Sequence, residues 1–155
     1  MTARLADDEL LISRTFDAPA ALLFDLWSKP EHMKRWMGPE GFECPEAEID
    51  FRVGGAYRGM IRSKEHGDTW FAGRYREIVP HRRLVFTFAW ESGPSGGVET
   101  LVTITFSEQN GKTVQTFHQT PFLDIAARDR HVGGWNGVFD KQEIYAEKLA
   151  KEQNT

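Results

Sequence analysis

From Ala47 to Gln119 apolar and polar residues alternate in short runs, and turn-forming residues cut the runs apart. A period of two is the signature of strands that bury one face. Ala47, Ile49, Phe51 and Val53 alternate with Glu48, Asp50 and Arg52, and Gly54-Gly55 supplies a two-residue turn able to take positive φ. Tyr57 to Ser63 returns, Glu65-His66-Gly67-Asp68 turns, and Trp70 to Val79 and Leu84 to Trp90 flank Pro80-His81-Arg82-Arg83. A glycine-rich loop, Gly93 to Gly97, leads to Glu99 through Phe106. Asn110-Gly111 then turns the chain into Thr113 to Gln119. Strands linked this tightly pair antiparallel.

The flanks read differently. Leu10 to Phe16 is a first strand. Asp17 offers an N-cap with Pro19 in the first turn of an apolar helix through Trp27. Ser28-Lys29-Pro30-Glu31 fits a capping box that opens a second short helix, stopped by Gly38-Pro39. Beyond Pro121 the spacing becomes helical, with Ile125, Val132, Trp135, Phe139 and Leu149 on one stripe. Gly133, Gly134 and Gly137 lie inside it. Each costs about 1 kcal/mol against alanine in a helix, so they predict a late helix start or a close backbone approach. The order strand, two helices, six strands, long helix predicts an α+β fold with helices on one face of the sheet. The 155 residues suit a single domain over 1–155, with its core at about 10–150.

Several function classes lose support. The net charge of -4 and the lack of a basic block speak against nucleic acid. No run approaches a membrane span, and the first ten residues carry Arg4, Asp7, Asp8 and Glu9 without an apolar leader. A lone cysteine, Cys44, forms no internal disulfide, and the expected location is the cytoplasm. His32, His66, His81, His118 and His131 have no metal-ligand spacing, and no dinucleotide or phosphate-loop motif occurs, so no metal and no cofactor are expected. Gly93-Pro94-Ser95-Gly96-Gly97 fits G-x-S-x-G, but a strand follows it instead of a helix, which predicts an ordinary loop. Asp50, Arg52 and Glu77 read as surface charges on the sheet.

Certain short runs resemble a known family. They are Arg14-Thr15-Phe16-Asp17-Ala18-Pro19, Trp36-Met37-Gly38-Pro39 with Phe42, and Asp50-Phe51-Arg52-Val53-Gly54-Gly55. Glu77-Ile78-Val79-Pro80 with Arg83-Leu84, Gly111-Lys112-Thr113 and Gly134-Trp135 follow in order. Together they resemble the Hsp90-ATPase-activator-like (Aha1 C-terminal-like) branch of the START-like, SRPBCC, helix-grip superfamily, to which Bet v 1-like folds also belong. The resemblance implies a curved seven-stranded antiparallel sheet around a long C-terminal helix, two short helices after strand 1, and a cavity for apolar ligands. The branch includes co-chaperone domains and stress-response proteins. Gln142 and Gln119 depart from it, standing where an apolar residue and a histidine are usual.

Aromatic residues make up 12% of the chain, enough for a ring-filled core or a ring-lined pocket. Alternation puts Leu84, Phe86, Phe88 and Trp90 on the inner face. With the family pattern it also turns Tyr57, Ile61, Phe71, Tyr75 and Phe117 inward, opposite Trp135 and Phe139. Gly59 and Gly73 fall on the same face and are expected to open space. Tyr57, Tyr75, Gln115 and His118 are the candidate polar anchors. The leading expectation is a non-catalytic binder of an apolar, polycyclic small molecule. The rivals are a polyketide cyclase or dehydratase using the same cavity, and a module acting on a chaperone ATPase, the last weakened because the co-chaperone has a further N-terminal domain. A homodimer stays open.

Overall fold

Seven strands and three helices carry out this pattern in a computed structural model that describes residues 6–153. The readings of residues 1–5, including Arg4, and of the last two positions lie outside the described residues. The elements are β1 (Leu10–Phe16), α1 (Ala20–Ser28), α2 (Pro30–Trp36), β2 (Glu43–Ile49), β3 (Ala56–Ser63), β4 (Gly67–Val79), β5 (Arg83–Trp90), β6 (Thr100–Gln109), β7 (Lys112–Thr120) and α3 (Ile125–Gln153). They form one antiparallel sheet in the order β1-β7-β6-β5-β4-β3-β2. β2 to β7 meander, while β1 pairs with β7, so α1 and α2 carry the chain from one edge to the other. This is the α+β helix-grip fold. Among the described residues no helix is long and apolar enough to cross a membrane.

The inner face packs on α3 through rings. Trp135 lies 4.6 Å from Phe117 and 5.6 Å from Phe88 between centroids, and Phe139 lies 5.3 Å from Phe117. Trp27 of α1 fills the remaining side, edge-on to Trp36 at 4.7 Å. Its indole N–H donates to Gln115 Oε1, and Gln115 Nε2 in turn donates to Gln142 Oε1. Gln142 is fully buried, so the departure from the family pattern faces the core and not solvent. Its Nε2 has no partner among the described residues.

Local expectations shift at the element ends. Asp17 does not cap α1. The helix starts at Ala20, and Glu108 of β6 caps it from across the fold by accepting from the Ala20 N–H at 2.7 Å. Ser28 is still the last residue of α1, so Lys29 becomes the N-cap of α2, with Pro30 at the first helical position. β2 stops at Ile49, not Val53, because the Asp50–Gly55 stretch folds as a loop with its own hydrogen bonds, Arg52 N to Asp50 O and Gly55 N to Arg52 O. Gly54 takes φ +83°, and a Cβ at Gly55 would strike the Asp50 carbonyl. Asn110-Gly111 is a two-residue turn with both φ positive. All three helix glycines lie inside α3, which rules out a late start.

Candidate functional site

A cleft of about 540 Å³ opens where α3 leaves the β3–β5 end of the sheet. Its depth is apolar: Phe71 and Phe88 from β4 and β5, Ile61 from β3, and Trp135 and Val138 from α3. Met37, Pro39 and Phe42 of the loop after α2 form one side, and Ser92 to Ser95 form the other. The volume lies within the range of small-molecule sites.

Helix glycines shape the opening. A Cβ on Gly134 would meet no atom within 4 Å, so this position leaves space in the cleft wall. Gly137 lets the helix approach the side loop, its Cβ position lying 3.3 Å from Pro39 Cβ. Half-buried Lys141 fastens the same loop by donating to the carbonyls of Gly38 and Phe42 at 3.0 and 3.1 Å. Burial pushes its ammonium below the usual lysine range.

The sequence-based site divides. Ile61, Phe71, Phe88, Trp90 and Trp135 line the cleft. Tyr57, Tyr75 and Phe86 instead border a void of only about 10 Å³ beneath it, too small to hold more than about one water. Gln115, Phe117 and Phe139 are sealed in the core. Tyr57 spends its hydroxyl on the Thr87 carbonyl, and burial raises both tyrosine pKa values, so neither is a ready acid. His118 faces the opposite side of the sheet, where Nε2 lies 2.7 Å from Glu9 Oε2. It is not beside the helix, because the inward positions of β7 are Thr113, Gln115, Phe117 and Gln119. Gln119 accepts from Trp135 Nε1 at 2.8 Å.

Gly59 and Gly73 do not open space. A Cβ on Gly59 would sit 2.5 Å from Phe71 Cζ, since that ring already covers the bare backbone. A Cβ on Gly73 would sit 1.9 Å from the Thr87 carbonyl oxygen and 2.7 Å from Tyr57 Oη. These two glycines of the sheet serve close packing, and the glycine that leaves room in the cleft wall is Gly134 of the helix.

Sequence reasoning missed His131, His66 and Arg130 at the mouth. Trp90 Nε1 donates to His131 Nε2 at 2.9 Å, and His131 Nδ1 lies 2.7 Å from the Ala127 carbonyl, which fixes the Nδ1–H tautomer. Burial lowers its pKa, so the ring is neutral with both nitrogens engaged. No proton acceptor is left there for Ser95. His66 stacks on Phe42 with centroids 5.8 Å apart. Asp68 is held by Arg62 at 2.7 Å, which keeps its carboxyl below the usual range. Cys44 is buried, and burial pushes its thiol pKa up, the mark of an inert cysteine. Among the described residues no group of three or more His, Cys, Asp or Glu could hold a metal. Besides the inward rings, the α3 glycines were a signal in the sequence for the helix wall of this place, but spacing alone does not say which glycine faces a neighbour and which faces a gap.

Comparison with known proteins gives a family and a fold. The family described as "Activator of Hsp90 ATPase homolog 1-like protein" matches residues 17–147. No curated protein matches the chain. A crystal structure from Chromobacterium violaceum superposes with TM-score 0.82 at 25% identity, over 92% of this chain and 99% of that one. The AHSA1 protein of Silicibacter pomeroyi gives 0.78 at 25% identity, over 93% and 99%. A Rhizobium leguminosarum protein gives 0.75 at 28% identity, over 90% and 94%.

Proposed function

Since the chain belongs to the Activator of Hsp90 ATPase homolog 1-like family, whose fold often receives hydrophobic ligands, we propose that it binds an apolar, ring-bodied small molecule in the cleft between sheet and α3. The supporting observation is the cleft itself, with about 540 Å³ walled by Ile61, Phe71, Phe88, Trp135 and Val138. Burying apolar ligand surface against these side chains stabilises the complex by roughly 25 cal/mol per Å² before association costs. Polar side chains are the minority of the lining, as expected of sites that orient a mainly apolar body.

Catalysis has less support. Asp68 is paired, and His131 has no free nitrogen while Trp90 is bonded to it. Thermal unfolding with neutral polycyclic compounds, and with adenine nucleotides as controls, tests the reading. A ligand at a hundred times its Kd contributes about 2.7 kcal/mol, a rise of several degrees in Tm. A flat response to every polycyclic compound would refute it.

A further inference from the structure

The cleft mouth is not electrically neutral, and the sign of its charge follows from who is already paired. Asp68 is engaged by Arg62 through two contacts, at 2.7 and 3.2 Å. His131 is uncharged and doubly hydrogen-bonded, and His66 lies flat on Phe42. Arg130 is different. It lines the cleft from α3, and the nearest acid in sequence, Asp129, is taken by Arg128 at 2.9 Å. No ion pair or hydrogen bond engages the Arg130 guanidinium among the described residues. Ser92 and Ser95 of the loop after β5 line the same cleft. That loop is pinned beside Trp90, whose carbonyl accepts from the Gly97 N–H at 2.9 Å, and Trp90 in turn is bonded to His131, the residue after Arg130.

An apolar body seated on Phe71, Phe88 and Trp135 would bring its outer end to this cation. An apolar end would strip water from the guanidinium and return nothing, and a neutral carbonyl would return one uncharged hydrogen bond, whereas a carboxylate matches its planar fork with two charge-assisted hydrogen bonds. A doubly charged phosphate calls for a second cation, and the lining holds no other Arg or Lys. Resting on the binding function above, we propose that the natural occupant is an amphipathic acid, with an apolar ring-bearing body in the cleft and a carboxylate on Arg130 at its mouth.

The test uses two probes with the same body, pyrenebutanoate and pyrenebutanamide, titrated by pyrene fluorescence near neutral pH at low ionic strength. Wild type should bind the acid about five- to tenfold more tightly than the amide, the size of a solvent-exposed charge-assisted contact. In Arg130→Gln the ratio should fall to about one with amide affinity unchanged. Arg76→Gln removes the same net charge from the outer side of the sheet and should leave the ratio intact. Equal binding of acid and amide by wild type, or an unchanged ratio in Arg130→Gln, would overturn the head-group assignment while the cleft remains a binding site. Failure of both probes to bind would overturn both readings together. Arg130 is exposed, so the variant is expected to fold, and an unchanged Tm checks this.

Discussion

Gly134 is expected to be costly for stability and useful for binding, and a short series of variants separates the two. A glycine inside a helix costs about 1 kcal/mol against alanine. In Gly134→Ala the new methyl meets no atom within 4 Å, so no packing penalty offsets that gain. For a chain of this size the increase corresponds to roughly 2–4 °C in Tm. Gly133→Ala, which also points into open space but does not line the cleft, should gain about the same amount. Gly137→Ala should gain less, because its methyl would press on Pro39 Cβ at 3.3 Å. Gly134→Trp then puts an indole into the cleft while still relieving the glycine penalty. It should fold at least as stably as wild type and lose the thermal response to polycyclic compounds, whereas Gly133→Ala keeps it. Calorimetry of the four variants with and without ligand is the assay. A destabilised Gly134→Ala would show that the space is not there. A Gly134→Trp protein that still responds to ligand would show that binding occurs elsewhere.

The sheet glycines should behave in the opposite way. Gly59→Ala should destabilise by about 1–3 kcal/mol in urea, since its methyl overlaps the Phe71 ring, and Gly73→Ala by more, because the obstacle there is backbone. Gln115→Met should cost more than Gln142→Met, because it strands both Trp27 Nε1 and Gln142 Oε1, while the second change trades one unpaired amide for another. Each stranded group is worth about 1–3 kcal/mol, and chemical denaturation gives the order. His131 titrates below its ordinary value of 6.5 because burial disfavours the imidazolium. The unfolded chain therefore binds the extra proton first. Its contribution is complete above 6.5 and is lost as pH falls through the lower folded pKa. Thermal scans should show a shallower acid loss for His131→Gln than for wild type, and parallel curves would refute this.

Period-two alternation and turn chemistry placed β1 and β3 to β7, and capping residues and helical spacing placed the helix pair after β1 and the long final helix, because which face an element buries is written in its own residues; β2 was read four residues too late, since Phe51 and Val53 carry the alternation on into the loop after Ile49. Phe88 was legible as inward from its strand's alternation, Phe71 with the family pattern added, and Trp135 from the helical stripe after Pro121. The sequence alone did not say how deep each inward residue would lie. Tyr57, Tyr75 and Phe117 share the face of the cleft residues, yet none of the three lines the cleft. Caps supplied from afar were equally hidden, since Glu108 stands 88 positions from Ala20. His118 and His131 show the same division. Strand parity places the first outside, whereas the second matters only because Trp90, from another element, ends within hydrogen-bond reach. The glycines mark the sharpest limit. A missing side chain leaves either a tight contact or a gap, and only the atoms packed opposite decide which. For Gly59 the Phe71 ring fills the place, and for Gly134 nothing does.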